Sequence, residues 1–167
     1  RSMRFIPRLF SLMSLLVIIA YAFDYLGEAQ VILWYAIGLG ITGGYLAKVN
    51  ALSKKTNEAQ STFEEYRKLL VILEDAPFKT EYLNGLSAGL NSDQQKASSH
   101  INDFARLLAT FDQRNNMLFG FISNGLLLWD LGCCYRIEQW IEAHGSKVEM
   151  WFDTIARFDA QVSLGTF

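Results

Sequence analysis

Three glycines have the residue type and spacing of a nucleotide-binding loop. Gly38, Gly40 and Gly43 match the GxGxxG pattern, and they follow the apolar, strand-like stretch VILWYAI. A dinucleotide site needs this pattern between a strand and a helix of a βαβ unit, with an acidic residue about 20 positions later. Glu58 lies at that distance, but in a polar, helix-like stretch, and no second convincing strand follows. The context therefore argues against a nucleotide site.

The same stretch favours helix packing instead. Ala36, Gly40 and Gly44 recur every four residues, which places small residues along one face of a helix. Such a ridge lets two helices approach closely in lipid. We predict that Ser11 and Ser14 of the preceding apolar run meet this ridge.

The cysteines and the Glu/His group near the C-terminus lack the spacing of metal sites. Cys133 and Cys134 are adjacent, and no CxxC spacing occurs, so we predict neither a zinc site nor a disulfide framework. Glu138 and Glu142 lie close to His144, but a di-metal bundle needs Glu-x-x-His pairs from facing helices. We predict that this group is a solvated helix face.

Two pairs of adjacent carboxylates, Glu64/Glu65 and Glu74/Asp75, raise the question of acid–base catalysis. Neighbours on a helix point about 100° apart and do not converge, so we predict that both pairs are solvated. His100 has no cysteine or second histidine near it in sequence, which favours a packed or surface position. The sequence therefore predicts no catalytic, cofactor-binding or metal-binding residue.

Two apolar runs dominate the N-terminal part of the chain. Residues 9–23 and 29–47 contain no charged residue, and the turn between them carries Asp24 and Glu28. A helix that crosses a bilayer needs about 20 apolar residues; the second run has this length, and the first has it only if its flanks extend it. We predict a transmembrane helical hairpin at residues 1–49. The alternative is a pair of buried helices in a water-soluble protein.

The charges around the hairpin predict its orientation. Its two ends carry only basic residues, which are Arg1, Arg4, Arg8, Lys48, Lys54 and Lys55. Because basic flanks stay in the cytoplasm, we expect both ends, and residues 50–167, on the cytoplasmic side of the membrane. Aromatic residues near the turn are expected to form an interfacial belt; they are Tyr21, Tyr25, Trp34 and Tyr35.

Residues 50–167 are predicted to be an antiparallel helical bundle, which makes the whole chain all-α. The first helix continues from the hairpin to Ala76. Two apolar stripes step by four and three residues, as in packed helices; they are Ala59, Phe63, Tyr66, Leu70, Leu73 and Ala97, Ile101, Phe104, Leu108, Phe111. Between them we expect a stop at Pro77, a short helix within residues 78–90, and a capped helix start at Asn91-Ser92-Asp93.

The third helical stretch is predicted from Asn115 to about His144. It is too short and too interrupted for a third span, and its dense apolar content predicts burial on several sides. Gly145 is expected to end it and Ser146 to cap a last helix. Trp129, Trp140 and Trp151 recur every 11 residues, and we predict that they pack in the core rather than stack on bases.

The charge of the C-terminal part bears on nucleic-acid binding. From Ala51 onward the chain has 15 acidic and 11 basic residues, a net charge of −4. A phosphate backbone requires a basic surface. We therefore do not expect this segment to bind DNA.

The C-terminal third resembles a known family. The strings DQRNNMLFGFISNGLLLWD, RIEQW and WFDTIARFDAQVSLGTF are similar to the MutS-related ATPases, in particular to the membrane-associated branch of Bacteroidetes-type bacteria. The most specific part, IARFDAQVSL at residues 155–164, is similar to the I-x-x-x-D-A-L-x-S-L-A helix that closes the family's core (lever) domain. Gln161 and Gly165 depart from that pattern. The resemblance covers about residues 104–167.

The resemblance implies that residues 50–167 are the returning half of a core domain, with the hairpin in place of the DNA-gripping clamp. It implies an ATPase domain that binds ATP and magnesium beyond Phe167, a role of the parent protein in DNA mismatch repair or a related DNA transaction, and a homodimeric parent. Because the chain has no GxxxxGK[ST] motif, we do not expect this segment to hydrolyse ATP. Its abrupt ends predict a segment of a longer protein.

Two other functions fit the residues. A membrane-tethered helical module could bind a partner protein without binding DNA or nucleotide. An enzyme could use the GxGxxG stretch, and a nucleotide titration would test this. A parent gene that continues into a P-loop domain favours the lever, whereas a gene that ends near Phe167 favours the interaction module.

Overall fold

The chain is helical wherever the computed structural model describes it, at residues 5–76, 81–90 and 95–165. These ranges contain a short 3₁₀ turn at Gln113–Asn115 and no strand. The helices are α1 (Ile6–Ala22), α2 (Glu28–Asp75), α3 (Glu81–Leu90), α4 (Ala97–Asp112), α5 (Met117–Leu127) and α6 (Trp129–Gly165). The prediction of an all-α chain is confirmed. Pro77, Phe78 and the helix start predicted at Asn91-Ser92-Asp93 lie outside the described residues.

The helices form two compact units. Unit 1 comprises Arg1–Thr56 and Ala109–Glu138, and unit 2 comprises Asn57–Leu108 and Gln139–Phe167. The helices α2, α4 and α6 contribute residues to both units. As predicted, α2 continues from the hairpin without a break, as far as Asp75.

In unit 1, α1 and the first part of α2 form the predicted hairpin. Asp24 adopts a left-handed conformation in the turn, with φ of 60°, which aspartate tolerates better than most residues. The rings of Phe10 and Trp34 stack with centroids 4.7 Å apart, and Trp34 Nε1 donates a hydrogen bond to Ser14 Oγ at 2.8 Å. Trp34 is therefore half-buried and packs against α1.

The third predicted helical stretch is broken at Leu128. The Asn116 side chain caps α5 by accepting a hydrogen bond from the Phe119 N–H at 3.2 Å. Leu128 is fully buried and left-handed, with φ of 49°, and the chain bends by 84° between α5 and α6. Packing of the Leu128 side chain offsets the cost of this conformation, which is about 1–2 kcal/mol for a residue with a Cβ.

The predicted helix end at Gly145 and the cap at Ser146 are wrong. The helix α6 runs through both residues and on to Gly165. A glycine inside a helix costs only about 1 kcal/mol relative to alanine. Trp140 and Trp151 are buried on either side of Gly145, and their packing offsets that cost.

Unit 2 has the predicted core. The stripe of α4 is buried from Ala97 to Leu108, and α2 faces it in the antiparallel direction, since Phe63 lies against Phe104 and Glu74 against Ser98. The ring of Phe104 stacks on Trp140 with centroids 4.1 Å apart. The prediction that Trp140 and Trp151 pack in a core is confirmed.

The chain's two histidines are neighbours in space. The ring centroids of His100 and His144 lie 4.6 Å apart, and His144 Nδ1 is 3.2 Å from the Trp140 carbonyl oxygen, to which it donates. The two histidines are 44 positions apart in sequence, and α4 and α6 bring their rings together. The pair sits in an aromatic cluster with Trp140 and Trp151. The described residues contain no group of three or more His, Cys, Asp or Glu side chains that could hold a metal ion.

The two predicted carboxylate pairs are not uniformly solvated. Glu74 is buried, and its carboxylate accepts hydrogen bonds from the Ser98 N–H at 2.8 Å and the Ser98 hydroxyl at 2.5 Å. It therefore caps the start of α4 from α2, so the prediction of a solvated Glu74 is wrong. Its neighbour Asp75 forms a surface ion pair with Lys96, and the hydrogen bond between them raises the pKa of Lys96. On the same helix, Arg67 lowers the pKa of Glu64 by hydrogen bonding to it.

We expect Glu74→Ala to destabilise unit 2 by about 2 kcal/mol, because it leaves the buried start of α4 without a charged acceptor. Asp75→Ala is the matched control, since an exposed ion pair contributes at most about 1 kcal/mol. Equilibrium unfolding of the two variants, followed by tryptophan fluorescence, measures the difference. Equal losses would contradict the assignment of the cap.

Candidate functional site in unit 1

Unit 1 has an apolar outer surface. The helices α1, α5 and the first part of α2 expose most of their large apolar side chains. The exposed fraction is 85% for Met117, 75% for Leu118 and 57% for Phe121 of α5. The buried residues of α5 are instead Gly120, Ser123, Asn124 and Gly125. The prediction that this stretch is buried on several sides is therefore wrong, because its small and polar residues face inward.

The interior of unit 1 collects polar side chains from several helices. The buried ones are Ser14, Thr42, Thr56, Ser123, Asn124 and Asp130. Water-soluble proteins bury apolar residues and expose charged ones, whereas helices that face lipid expose apolar residues and pack through small and polar ones. The polarity of unit 1 follows the second pattern.

The helices also differ in length and composition. Among the described residues, α2 is the one helix that is long and apolar enough to cross a membrane by itself. The helices α5 and α6 meet the same criterion only together, as a bent pair, and α1 is a shorter apolar helix.

Two glycines allow α2 and α5 to touch through their backbones. A Cβ atom at Gly38 would overlap the carbonyl oxygen of Gly125, and a Cβ atom at Gly125 would overlap the ring of Tyr35. The Tyr35 hydroxyl of α2 donates a hydrogen bond at 2.8 Å to the carbonyl of Phe121, which like Gly125 belongs to α5. The close approach predicted from the glycines is therefore made at Gly38, by α5.

The predicted ridge of Ala36, Gly40 and Gly44 lies on the opposite face of α2. All three residues are exposed, and a Cβ atom at either glycine would have no atom within 4 Å. The prediction that Ser11 and Ser14 meet this ridge is wrong: Ser14 binds Trp34, and Ser11 donates to the Leu127 carbonyl at 3.4 Å.

The GxGxxG stretch has no loop that could hold a phosphate. Gly38, Gly40 and Gly43 all lie in the interior of α2. A phosphate-binding loop presents free backbone N–H groups at a helix start, whereas interior N–H groups bind carbonyls four residues earlier. The arrangement of these glycines is therefore unlike that of a dinucleotide site.

A buried polar cluster lies at the break between α5 and α6. The Asn124 side chain accepts a hydrogen bond from the Asp130 N–H at 2.9 Å, which links the two helices across Leu128. Arg114 Nε lies 3.3 Å from Asp130 Oδ2, and Arg114 Nη2 donates to Asn50 Oδ1 at 2.9 Å. The cluster therefore connects α2, the chain just before α5, and the first turn of α6.

Asp130 is the most unusual member of this cluster. It is 2% exposed, and its Oδ1 atom has no hydrogen-bond partner among the described residues. In the sequence, Asp130 interrupts an apolar stretch. A single acid next to LLLW is itself a signal, because ionisable residues within apolar segments usually face a partner inside the bundle. Cys133 and Cys134, in the next turn, are free thiols.

Comparison of the chain with protein-family models, with curated proteins and with solved structures gives no match.

Proposed function

We propose that the chain is a membrane-anchored lever, with unit 1 in the lipid bilayer and unit 2 in the cytoplasm. The observation that carries the proposal is the polarity of unit 1, whose large apolar side chains face outward while Asn124 and Asp130 are buried. In water such a surface favours association; in lipid it is the favourable arrangement.

The continuity of two helices supports a lever. Both α2 and α6 run without a break from residues of unit 1 to residues of unit 2. A force on the part of either helix in unit 2 would reach unit 1 through the helix backbone itself. The polar cluster at the start of α6 is where such a force would act, because Asp130 ties this helix to Arg114.

The source of the force is proposed from the family resemblance of residues 104–167. By that resemblance, the parent protein is a MutS-like ATPase that acts in DNA mismatch repair or a related DNA transaction, and ATP and Mg²⁺ bind in a domain beyond Phe167. The sequence of the parent gene tests this part of the proposal. A P-loop motif downstream supports the lever. A gene that ends near Phe167 contradicts it and favours the alternative function, a membrane-tethered helical module that binds a partner protein.

The crossing itself predicts which residues are reachable from each side of a bacterial cytoplasmic membrane. In a chain without native thiols (Cys133→Ala, Cys134→Ala), we expect Tyr25→Cys in the exposed turn to react with an impermeant maleimide outside intact cells. Lys55→Cys, after the apolar part of α2, is expected to react only in inverted vesicles, because basic flanks stay in the cytoplasm. Gel-shift labelling of the two variants makes the measurement.

A third variant tests lipid exposure. Leu33→Cys replaces an exposed residue of α2. We expect this cysteine to react slowly from both sides, because the reactive species is the thiolate and a thiol surrounded by lipid does not ionise. Labelling of Tyr25→Cys and Lys55→Cys from the same side would rule out a crossing. Fast labelling of Leu33→Cys would place that face in water.

A further inference from the structure

A second feature of unit 1 is a basic pocket at the start of α1. Its volume is about 520 Å³, and it lies between α1, the end of α5 and the first turns of α6. The residues that matter for its chemistry are Arg8, Ser11, Leu12, Leu127, Tyr135 and Arg136. None of the described residues that line it is acidic. The pocket therefore combines two guanidinium groups and two hydroxyls with an apolar wall.

The charges of this pocket are not neutralised within the described part of the chain. Arg8 and Arg136 are both exposed, and neither forms a hydrogen bond or an ion pair with a described residue. By contrast, Arg114 forms an ion pair with Asp130, and Arg157 forms one with Asp153. Two unpaired guanidinium groups at one pocket attract an anion, and their planar forks suit the oxygens of a phosphate.

The pocket lies at the basic end of the hairpin. A neighbouring cavity of about 130 Å³ shares Pro7 and Tyr135 with it and is lined by Lys48 from the end of the apolar part of α2. Glu138 is the acidic residue that lines this neighbouring cavity. Arg8 and Lys48 are therefore at the same end of unit 1, away from the turn at Asp24. In the orientation that basic flanks dictate, this end meets the headgroups of the cytoplasmic leaflet, which carries anionic lipids.

We propose that this pocket binds one anionic phospholipid. Its phosphate lies between Arg8 and Arg136, with the Tyr135 hydroxyl as a further donor, and an acyl chain follows the apolar wall formed by Leu12 and Leu127. The proposal rests on the proposed function, because a lipid reaches this pocket only if unit 1 lies in a bilayer. The charge of the pocket selects an anionic lipid over a zwitterionic one, since the described residues that line it include Arg8 and Arg136 and no acid.

Fluorescence quenching by brominated lipids tests the proposal. The full chain is placed in phosphatidylcholine vesicles that contain a rising mole fraction of phosphatidylglycerol with brominated acyl chains. Trp129 also lines the pocket. The chain has four tryptophans, so the quenching of Trp129 alone is the difference between the quenching of the unchanged chain and that of the Trp129→Phe variant. We expect brominated phosphatidylglycerol to quench Trp129 at a mole fraction about fivefold lower than brominated phosphatidylcholine does.

The variants separate a pocket from a diffuse basic surface. Arg136→Gln is expected to raise the mole fraction of brominated phosphatidylglycerol that quenches Trp129 by about fivefold. Lys55→Gln removes an exposed positive charge outside the pocket and is expected to leave that mole fraction unchanged. Equal effects of the two variants would mean surface attraction without a site, and would overturn the proposal. Glycerol 3-phosphate added in solution is expected not to relieve the quenching; relief would mean that the pocket takes a soluble phosphate.

The remaining outcomes distinguish this proposal from the membrane anchor. Equal quenching by both brominated lipids overturns the selective site but leaves unit 1 in the bilayer. An absence of Trp129 quenching by either lipid overturns the lipid site; if Tyr25→Cys and Lys55→Cys then also react from the same side, the membrane anchor fails with it.

Discussion

Gly38→Ala is expected to destabilise unit 1 by about 3 kcal/mol or more, although it adds one methyl group. The added Cβ atom would overlap the Gly125 carbonyl oxygen and lie 3.0 Å from the ring of Phe10. A side-chain tip could rotate away, but a backbone carbonyl in a helix cannot. The helices α2 and α5 would have to separate, and overpacking of this kind costs about 1–3 kcal/mol or more.

Gly40→Ala on the same helix is the matched control. A Cβ atom at Gly40 meets nothing within 4 Å, and alanine favours the helix over glycine by about 0.5–1 kcal/mol. We therefore expect Gly40→Ala to be neutral or slightly stabilising. Unfolding of the purified chain in detergent micelles, followed by the fluorescence of Trp34, gives both values. Similar losses at Gly38 and Gly40 would show that α5 does not pack on Gly38.

Arg114→Met is expected to cost about 3–5 kcal/mol, the usual loss when one member of a buried ion pair is removed. The side chains of Arg114 and Asp130 are 13% and 3% exposed. The substitution keeps most of the side-chain length but leaves the Asp130 carboxylate buried without its cation. It also removes the hydrogen bond to Asn50, so α2 loses its link to this cluster.

A double-mutant cycle separates the charge from the shape. Asp130→Asn removes the charge and keeps the volume, so Arg114→Met/Asp130→Asn is expected to recover part of the stability lost in Arg114→Met alone. Arg157→Met is the control, because its partner Asp153 is exposed and such pairs contribute at most about 1 kcal/mol. Additive losses in the cycle would mean that Arg114 and Asp130 do not interact.

The sequence predicted those helices and packing faces that are determined by residues close to one another in the chain. The stripes at residues 59–73 and 97–108 identified the faces that pack in unit 2, because a 3.6-residue period decides which side chains point the same way. The apolar runs likewise predicted the hairpin and its turn. These features follow from residues close to one another in the chain.

The sequence did not predict features that depend on a distant partner. The ridge at Gly40 and Gly44 and the single contact at Gly38 both satisfy a rule about small residues, and only the position of α5 decides between them. Glu74 was expected in water because adjacent carboxylates on a helix do not converge, and its partner Ser98, 24 residues away, is not visible from the neighbouring sequence. Gly145 has the usual residue type of a helix end, but packing on both sides carries α6 through it.

The division of unit 1 into two stretches of chain has a consequence for biosynthesis. Residues 1–56 leave the ribosome well before residues 109–138, so the hairpin of α1 and α2 forms while the backbone face at Gly38 is still uncovered. Only when α5 emerges can the Gly125 carbonyl close that face. Contacts between stretches so far apart form late, and under the proposed membrane location the hairpin would wait in the bilayer, without α5, while the whole of α4 is translated.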